Sequence, residues 1–278
     1  MRIGVNTLIW TAGFGREHIP LLARIRGHGF DLVEIARFSW DGFPTAEVRA
    51  QTESLGLGVA VCTAFTSPMN FCNPDAAVRA KAVDFVKESV DQLAAMGGKS
   101  LVGPLHSAVG GLVGRRRNAD EWNWVVDCLR QAGEHAADAG VTIAVEPLNR
   151  FESYFLNIST DAAALCDAVG LANVGILYDT FHAHIEEKNQ GSALRACGRH
   201  LKHVHTCEND RGTPGSGQVD WAGAFGALRE MGYDGDLVIE SFGFALPEIA
   251  AAACIWLDLA PVPELIAWDG INFIRGQI

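Results

Sequence analysis

The chain has 278 residues, 49% of them hydrophobic, enough to bury a large core and matching the size of one (β/α)₈ barrel without insertions. Its 22 basic residues against 33 acidic ones leave a formal charge of -11, which repels a phosphate backbone and excludes nucleic acid as an expected partner. No stretch approaches the ~18 uninterrupted apolar residues of a membrane span, Met1-Arg2-Ile3-Gly4 lacks a secretory signature, and the seven cysteines are scattered, so a soluble cytoplasmic protein with reduced thiols is expected.

Short runs rich in branched apolar residues recur along the chain: Ile3 to Asn6, Leu32 to Ile35, Gly58 to Thr63, Ser100 to Gly103, Val141 to Glu146, Val174 to Asp179, Leu201 to His205 and Asp236 to Glu240. They predict eight strands. Helix patterns fill the intervals at Glu17 to Gly29, Thr45 to Gly56, Ala76 to Gly97, Ala119 to Gly140, Thr160 to Gly170, Ser192 to Gly198, Trp221 to Gly232 and Leu246 to Leu257. Asp75 and Thr160 serve as start signals, and Gly29, Gly56, Gly97, Gly140 and Gly232 as stops. Strand alternating with helix implies a parallel sheet, and eight such repeats favour closure. The expected fold is α/β, one (β/α)₈ barrel domain over residues 1–278. An open doubly wound sheet would want a glycine-rich phosphate loop after its first strand, and Gly13-Phe14-Gly15 is an incomplete match.

From about residue 256 the chain carries an apolar tail, including Trp256, Leu257, Ile266, Trp268 and Ile271, expected under the barrel or against a second subunit. Two irregular glycine-rich segments, His106 to Asn118 and Glu208 to Val219, follow strands on the face where barrel enzymes build their sites. Arg115, Arg116 and Arg117 in the first of these are expected to be a solvated run.

Glu146, Asp179, His205 and Glu240 each close one of four successive strands, so a parallel sheet brings them to a single rim. Three crowded carboxylates raise one another's pKa, and a divalent cation resolves the conflict. Three carboxylate oxygens and one imidazole nitrogen suit Mn²⁺, Mg²⁺ or Co²⁺ better than a structural zinc. Cys207 shares a strand face with His205 and His203, which keeps a zinc alternative open. Glu34 closes the second strand, either as a contact to a substrate hydroxyl or as a buried structural partner, and His106 closes the fourth, lining the pocket or buried in the core.

These residues resemble the ketose 3-epimerases of the D-tagatose and D-psicose (D-allulose) type, within the xylose-isomerase-like barrels. The resemblance is carried by Glu146-Pro147-Leu148-Asn149-Arg150-Phe151-Glu152, Asp179-Thr180-Phe181-His182, His203-Val204-His205-Thr206, Arg211 ahead of Pro214-Gly215-Ser216-Gly217, and Gly103-Pro104-Leu105-His106-Ser107. It implies one divalent metal, Mn²⁺ ahead of Co²⁺ or Mg²⁺, held by Glu146, Asp179, His205 and Glu240, with Glu152, His182 and Arg211 addressing the substrate and His106 beside them. A ketohexose or ketopentose would offer its C2 carbonyl and C3 hydroxyl oxygens to the ion, making the C3 hydrogen acidic and giving a cis-enediolate on its removal. Inverting C3 requires proton exchange on both faces, and Glu146 and Glu240 are the expected pair. Arg211 and His182 would hold O2, where negative charge develops, and Glu152 would orient O1 or hold His182.

The same chemistry serves an aldose–ketose isomerase of the hydroxypyruvate or xylose type, or an inosose-type dehydratase. An apurinic endonuclease would need more histidine ligands and a basic face, and a non-catalytic sugar-binding barrel would bind without turnover. The resemblance also implies a homodimer or homotetramer. Two segments depart from it: Ala108-Val109-Gly110-Gly111-Leu112 follows His106-Ser107 where the family places an aromatic residue over the sugar, and Asn6-Thr7-Leu8-Ile9 replaces aromatic neighbours near the start.

Overall fold

The structure, a computed structural model, describes residues 1–278. Eight parallel strands, β1 (Arg2–Asn6), β2 (Leu32–Ala36), β3 (Gly58–Cys62), β4 (Ser100–Gly103), β5 (Thr142–Val145), β6 (Val174–Asp179), β7 (Leu201–His205) and β8 (Asp236–Ile239), pair in chain order, and β1 pairs back onto β8. The sheet is therefore a closed barrel, as the alternating pattern predicts. β2 and β6 are buried at every residue, the condition of a parallel strand covered on both faces. A continuous core of 62 buried residues lies mainly between the barrel and its helices.

The outer layer is α1 (Ile19–Gly27), α2 (Thr45–Leu55), α3 (Ala76–Ala95), α4 (Ala119–Asp138), α5 (Ser159–Val169), α6 (Thr180–Glu186), α7 (Gln190–Cys197), α8 (Trp221–Glu230), α9 (Pro247–Ala252) and α10 (Glu264–Arg275). No helix is long and apolar enough to cross a membrane. Asp75 caps α3 by accepting the Ala77 N–H at 2.8 Å. The predicted stops Gly29, Gly56, Gly97, Gly140 and Gly232 all have positive φ, the left-handed region open to glycine. Thr160, expected as a start signal, lies instead inside α5, which begins at Ser159 without a side-chain cap.

Three further expectations are corrected. The pattern from Leu246 to Leu257 yields only the short α9, because Cys254 adopts φ 54°, a left-handed conformation that no helix continues through. The apolar tail does not lie under the barrel: its last part forms α10, which packs on the flank against β1 and β8 with Trp268, Ile271 and Ile274 buried. Trp268 stacks on His28 with 3.9 Å between ring centroids. The arginine run is not simply solvated, since Arg115 forms a paired contact with Glu121 and Arg117 bonds Asp161 and the Phe155 carbonyl.

One glycine bears directly on the site. Gly103, the last residue of β4, has φ 128°, and a side chain there would run into the Thr63 carbonyl. Its own carbonyl accepts the Glu146 N–H at 3.0 Å, which fixes the backbone from which the Glu146 side chain departs.

Candidate metal centre and active site

Glu146, Asp179, His205 and Glu240, on or directly after β5, β6, β7 and β8, converge at the C-terminal mouth of the barrel, where each offers one ligand atom within 4.8 Å of the others. His205 Nδ1 lies 3.9 Å from Glu146 Oε1, 3.7 Å from Asp179 Oδ2 and 3.5 Å from Glu240 Oε2. Donors about 2.1 Å from a shared ion are separated by roughly 3 to 4 Å, so the spacing suits one cation. His205 Nδ1 and Glu146 Oε1 are buried and have no hydrogen-bond partner within the protein. Such atoms are expensive to bury unless something meets them.

The electrostatics point the same way. Burial first, and then the charge of Glu240, push the Glu146 carboxyl well above the ordinary carboxylate range. Burial works against ionisation at Asp179 as well, but the Arg211 guanidinium, with His205, outweighs it and holds that carboxyl well below its usual value. Burial would lower His205, yet Glu34 and Glu240 override it and hold the imidazole well above its usual range. The cluster calls for positive charge.

Asp179 and His205 are aimed by their neighbours. Asp179 ends β6 and also caps α6, its Oδ1 accepting the Phe181 N–H at 2.6 Å, which turns Oδ2 toward the cluster. Glu34 Oε1 accepts from the Asn6 side-chain amide at 2.8 Å and lies 2.9 Å from His205 Nε2. That pairing leaves Nδ1 of His205 as the outward-facing nitrogen. Of its two expected readings, Glu34 is thus the buried structural partner; His203 Nε2 sits 2.9 Å from its other oxygen without the alignment of a hydrogen bond.

Cys207 does not present a thiolate. Its thiol donates to the Glu240 backbone carbonyl at 2.8 Å, and burial pushes its pKa well up. The donor set is therefore oxygen-rich with one imidazole, which suits Mn²⁺, Co²⁺ or Mg²⁺ rather than a thiolate zinc site.

Around the cluster, Arg211 Nη1 donates to Asp179 Oδ2 at 2.9 Å and Glu240 Oε2 at 2.8 Å, while Nη2 is 3.1 Å from His182 Nε2. Its guanidinium carbon lies 4.0 Å from the Phe181 ring centroid and 4.8 Å from that of Phe242. Arg211 has φ 67°, and the Ser241 hydroxyl donates to its carbonyl, so a sparsely populated backbone conformation is pinned where the charge is needed.

His182, in the first turn of α6, accepts the Asn149 N–H on Nδ1 at 3.0 Å and turns Nε2 toward Glu146 Oε1, 3.5 Å away. Burial, opposed by Asp179 and reinforced by Arg211, lowers its pKa to about 3, so the ring is neutral near pH 7. Glu152 accepts from the Asn149 side chain at 2.7 Å, and burial raises its pKa. The asparagine thus links the two: Glu152 does not hold His182 directly.

A cavity of about 400 Å³ opens over this floor and is lined by Glu146, Glu152, His182, Arg211 and Glu240. A second cleft of about 360 Å³, between Cys166 and Lys202, contains none of these residues. His106 is corrected to a position behind the wall: fully buried, it bonds the Glu146 backbone carbonyl through Nε2 at 2.9 Å and packs on Phe155. Burial lowers its pKa to about 4. It supports Glu146 rather than touching a ligand in the cavity. Phe242 has no signal in the sequence, and Asn6 and Phe181 stand there only within longer segments, although Asn6, a polar residue closing a strand, carries the same signal as the ligands.

A family model described as Xylose isomerase-like TIM barrel matches residues 22–260. A probable ketose 3-epimerase of Synechocystis sp. is 32% identical over 275 residues, covering 99% of this chain and 96% of the relative. An L-ribulose 3-epimerase of Mesorhizobium japonicum is 33% identical over 261 residues, covering 93% and 88%. The crystal structure of a D-allulose 3-epimerase from Methylomonas sp. in complex with D-allulose superposes with a TM-score of 0.95 at 26% identity, covering 100% of this chain and 97% of that one.

Proposed function

The chain belongs to the xylose isomerase-like TIM barrel family and, within it, to the ketose 3-epimerases, and from that membership we propose that it inverts C3 of a free ketohexose or ketopentose with Glu146 and Glu240 as its acid/base pair. What supports this is the convergence of two carboxylates from the non-adjacent strands β5 and β8 on one cation-sized cluster beneath one cavity.

In this proposal Glu146, Asp179, His205 and Glu240 hold a divalent cation, with Mn²⁺ favoured over Co²⁺ or Mg²⁺ by the mixed oxygen and imidazole donors. When bound, the cation supplies Lewis acidity toward the substrate's C2 carbonyl and C3 hydroxyl. One of the two glutamates removes the C3 proton to give a cis-enediolate, and the other returns a proton to the opposite face. Arg211, permanently charged and buried, faces the oxygen at C2, joined by the neutral His182. Glu152, reaching the same floor, orients the terminal hydroxyl at C1. Residues 1–278 act as one domain. A homodimer or homotetramer is favoured by the exposed Trp256 and Leu257, and a cytoplasmic setting by the six buried free cysteines.

Turnover in deuterium oxide tests the reaction class. Label is expected at C3 of the product; label confined to C1 or C2 would instead identify an aldose–ketose isomerase.

Two residues outside the acid/base pair carry measurable expectations. Glu34→Ala is expected to weaken Mn²⁺ affinity by roughly 10- to 100-fold, because nothing then orients the His205 ring; a metal-competition titration reads this directly, and an unchanged affinity removes Glu34 from that role. Arg211→Ala is expected to lower kcat by roughly 10²- to 10³-fold with a smaller effect on KM. Steady-state comparison with Arg211→Lys, which keeps the charge but not the planar fork, separates charge from geometry.

A further inference from the structure

Glu208 has no part in the chemistry above, yet it is fully buried and carries a charge. It stands just beyond β7, at the head of the glycine-rich segment that bears Arg211 and runs on to α8.

That segment encloses the Glu208 carboxylate. Oε1 accepts the Gly215 N–H at 3.0 Å and the Trp221 indole N–H at 2.7 Å, while Oε2 accepts the Asn209 N–H at 3.0 Å and the Val219 N–H at 3.2 Å. A Cβ on Gly217 would lie 2.7 Å from Oε2, so the missing side chain lets the backbone close over the carboxylate. Burial opposes ionisation here, but the Trp221 side chain and the backbone N–H groups of Asn209, Val219 and Gly217 outweigh it and hold the carboxyl below its ordinary value. The bonded partners are all neutral N–H donors, so the segment winds round a buried negative charge as a peptide nest winds round an anion.

Arg211 lies within this winding, between the contact at Asn209 and the next at Gly215. Its N–H donates to the Glu208 carbonyl at 3.0 Å, and its φ of 67° is one that an arginine rarely adopts. Residues 215–218 are exposed, so this part of the winding is held mainly from within.

We infer that Glu208 is a positioning residue for Arg211: its carboxylate is the internal template that fixes the strained Arg211 backbone and so delivers the guanidinium to Asp179, Glu240 and the substrate oxygen at C2. The inference rests on the epimerase reading for what Arg211 does, and adds the residue that places it.

Glu208→Gln tests this. The amide is nearly the same shape, but its NH₂ group faces two N–H donors whichever way it is turned, so two of the four bonds are lost. In the purified Mn²⁺-loaded protein kcat is expected to fall by roughly 10- to 10²-fold, with a smaller change in KM. A double-mutant cycle decides the cause: in an Arg211→Ala background the same substitution is expected to change kcat by less than about 2-fold, because the group it misplaces is gone. A carboxylate that merely stabilised the fold would act independently of Arg211, so equal losses in the two backgrounds, or a wild-type kcat in Glu208→Gln, overturn the inference. Hydrogen exchange reads the same point without turnover: faster exchange confined to residues 209–219 is expected, and unchanged exchange there also overturns it. Should Glu208→Gln not fold, Trp221→Phe deletes one donor while keeping an aromatic ring, and the same cycle is expected to show a several-fold loss of kcat only where Arg211 is present. A wild-type protein that turns over no ketose sinks the epimerase reading, whereas turnover with equal losses in both backgrounds sinks this inference alone.

Discussion

Replacing Glu240 by glutamine is expected to lower kcat by roughly 10²- to 10⁴-fold, the usual contribution of one acid/base group, with a much smaller change in KM. The substitution is nearly isosteric, and the buried position keeps one oxygen for Arg211, which now pairs with Glu240 Oε2 at 2.8 Å. What the amide cannot do is accept a proton from C3. Because Glu240 is also a proposed ligand, Mn²⁺ affinity is to be measured beside the kinetics, together with thermal unfolding to establish the fold. A sharper signature is directional: with one base gone, the C3 hydrogen of one epimer still exchanges with deuterium oxide through Glu146, whereas that of the other epimer does not. A folded, metal-binding variant with wild-type kcat removes Glu240 from the pair.

Chelation is the second large expected effect. Stripping the divalent cation with EDTA is expected to abolish turnover, and Mn²⁺ or Co²⁺ to restore it. The cluster itself calls for the cation: burial and Glu240 raise the pKa of Glu146 well above its ordinary range, and an unpartnered imidazole nitrogen faces the same point. A cation binding only the folded chain also stabilises it, by about 2.7 kcal/mol at a free concentration one hundred times Kd. Melting of the stripped protein with and without Mn²⁺ reads that gain independently of catalysis. Full activity in demonstrably metal-free protein would reject the centre.

Much of the fold was legible because its signals are local. Eight apolar runs and five glycine stops mark the alternation, and the polar residues ending the last four strands mark the ligand cluster. The misses have equally local causes. α6 is hidden in the sequence because Asp179 does two jobs, closing β6 and capping the next helix, and a strand pattern masks a cap placed at its end. α10 lacked punctuation rather than pattern: its buried Ile266, Ala267, Gly270, Ile271 and Ile274 keep the helical period, but Pro263 supplies no side-chain cap to mark where the helix begins. The support behind the ligands could be read only as one of two alternatives for Glu34 and His106, without its partners. Glu34 and His205 are 171 residues apart, and only closure of the barrel puts them in contact. His106 illustrates the limit from the other side, since a histidine at a strand end looks the same whether it faces a cavity or, as here, the backbone of Glu146.

The pairing of β1 with β8 has a consequence for how the protein is made. While the chain is still emerging from a ribosome, β1 has only one partner, and the growing sheet carries two raw edges until residues 236–239 arrive. Three of the four ligand residues are synthesised before that moment, but Glu240 comes after it, so an unfinished polypeptide has neither a sealed wall nor a complete cation cage. Contacts spanning this much sequence form slowly and leave sticky edges exposed meanwhile. Assembly of the catalytic floor and protection of the nascent sheet from aggregation are thus one late event.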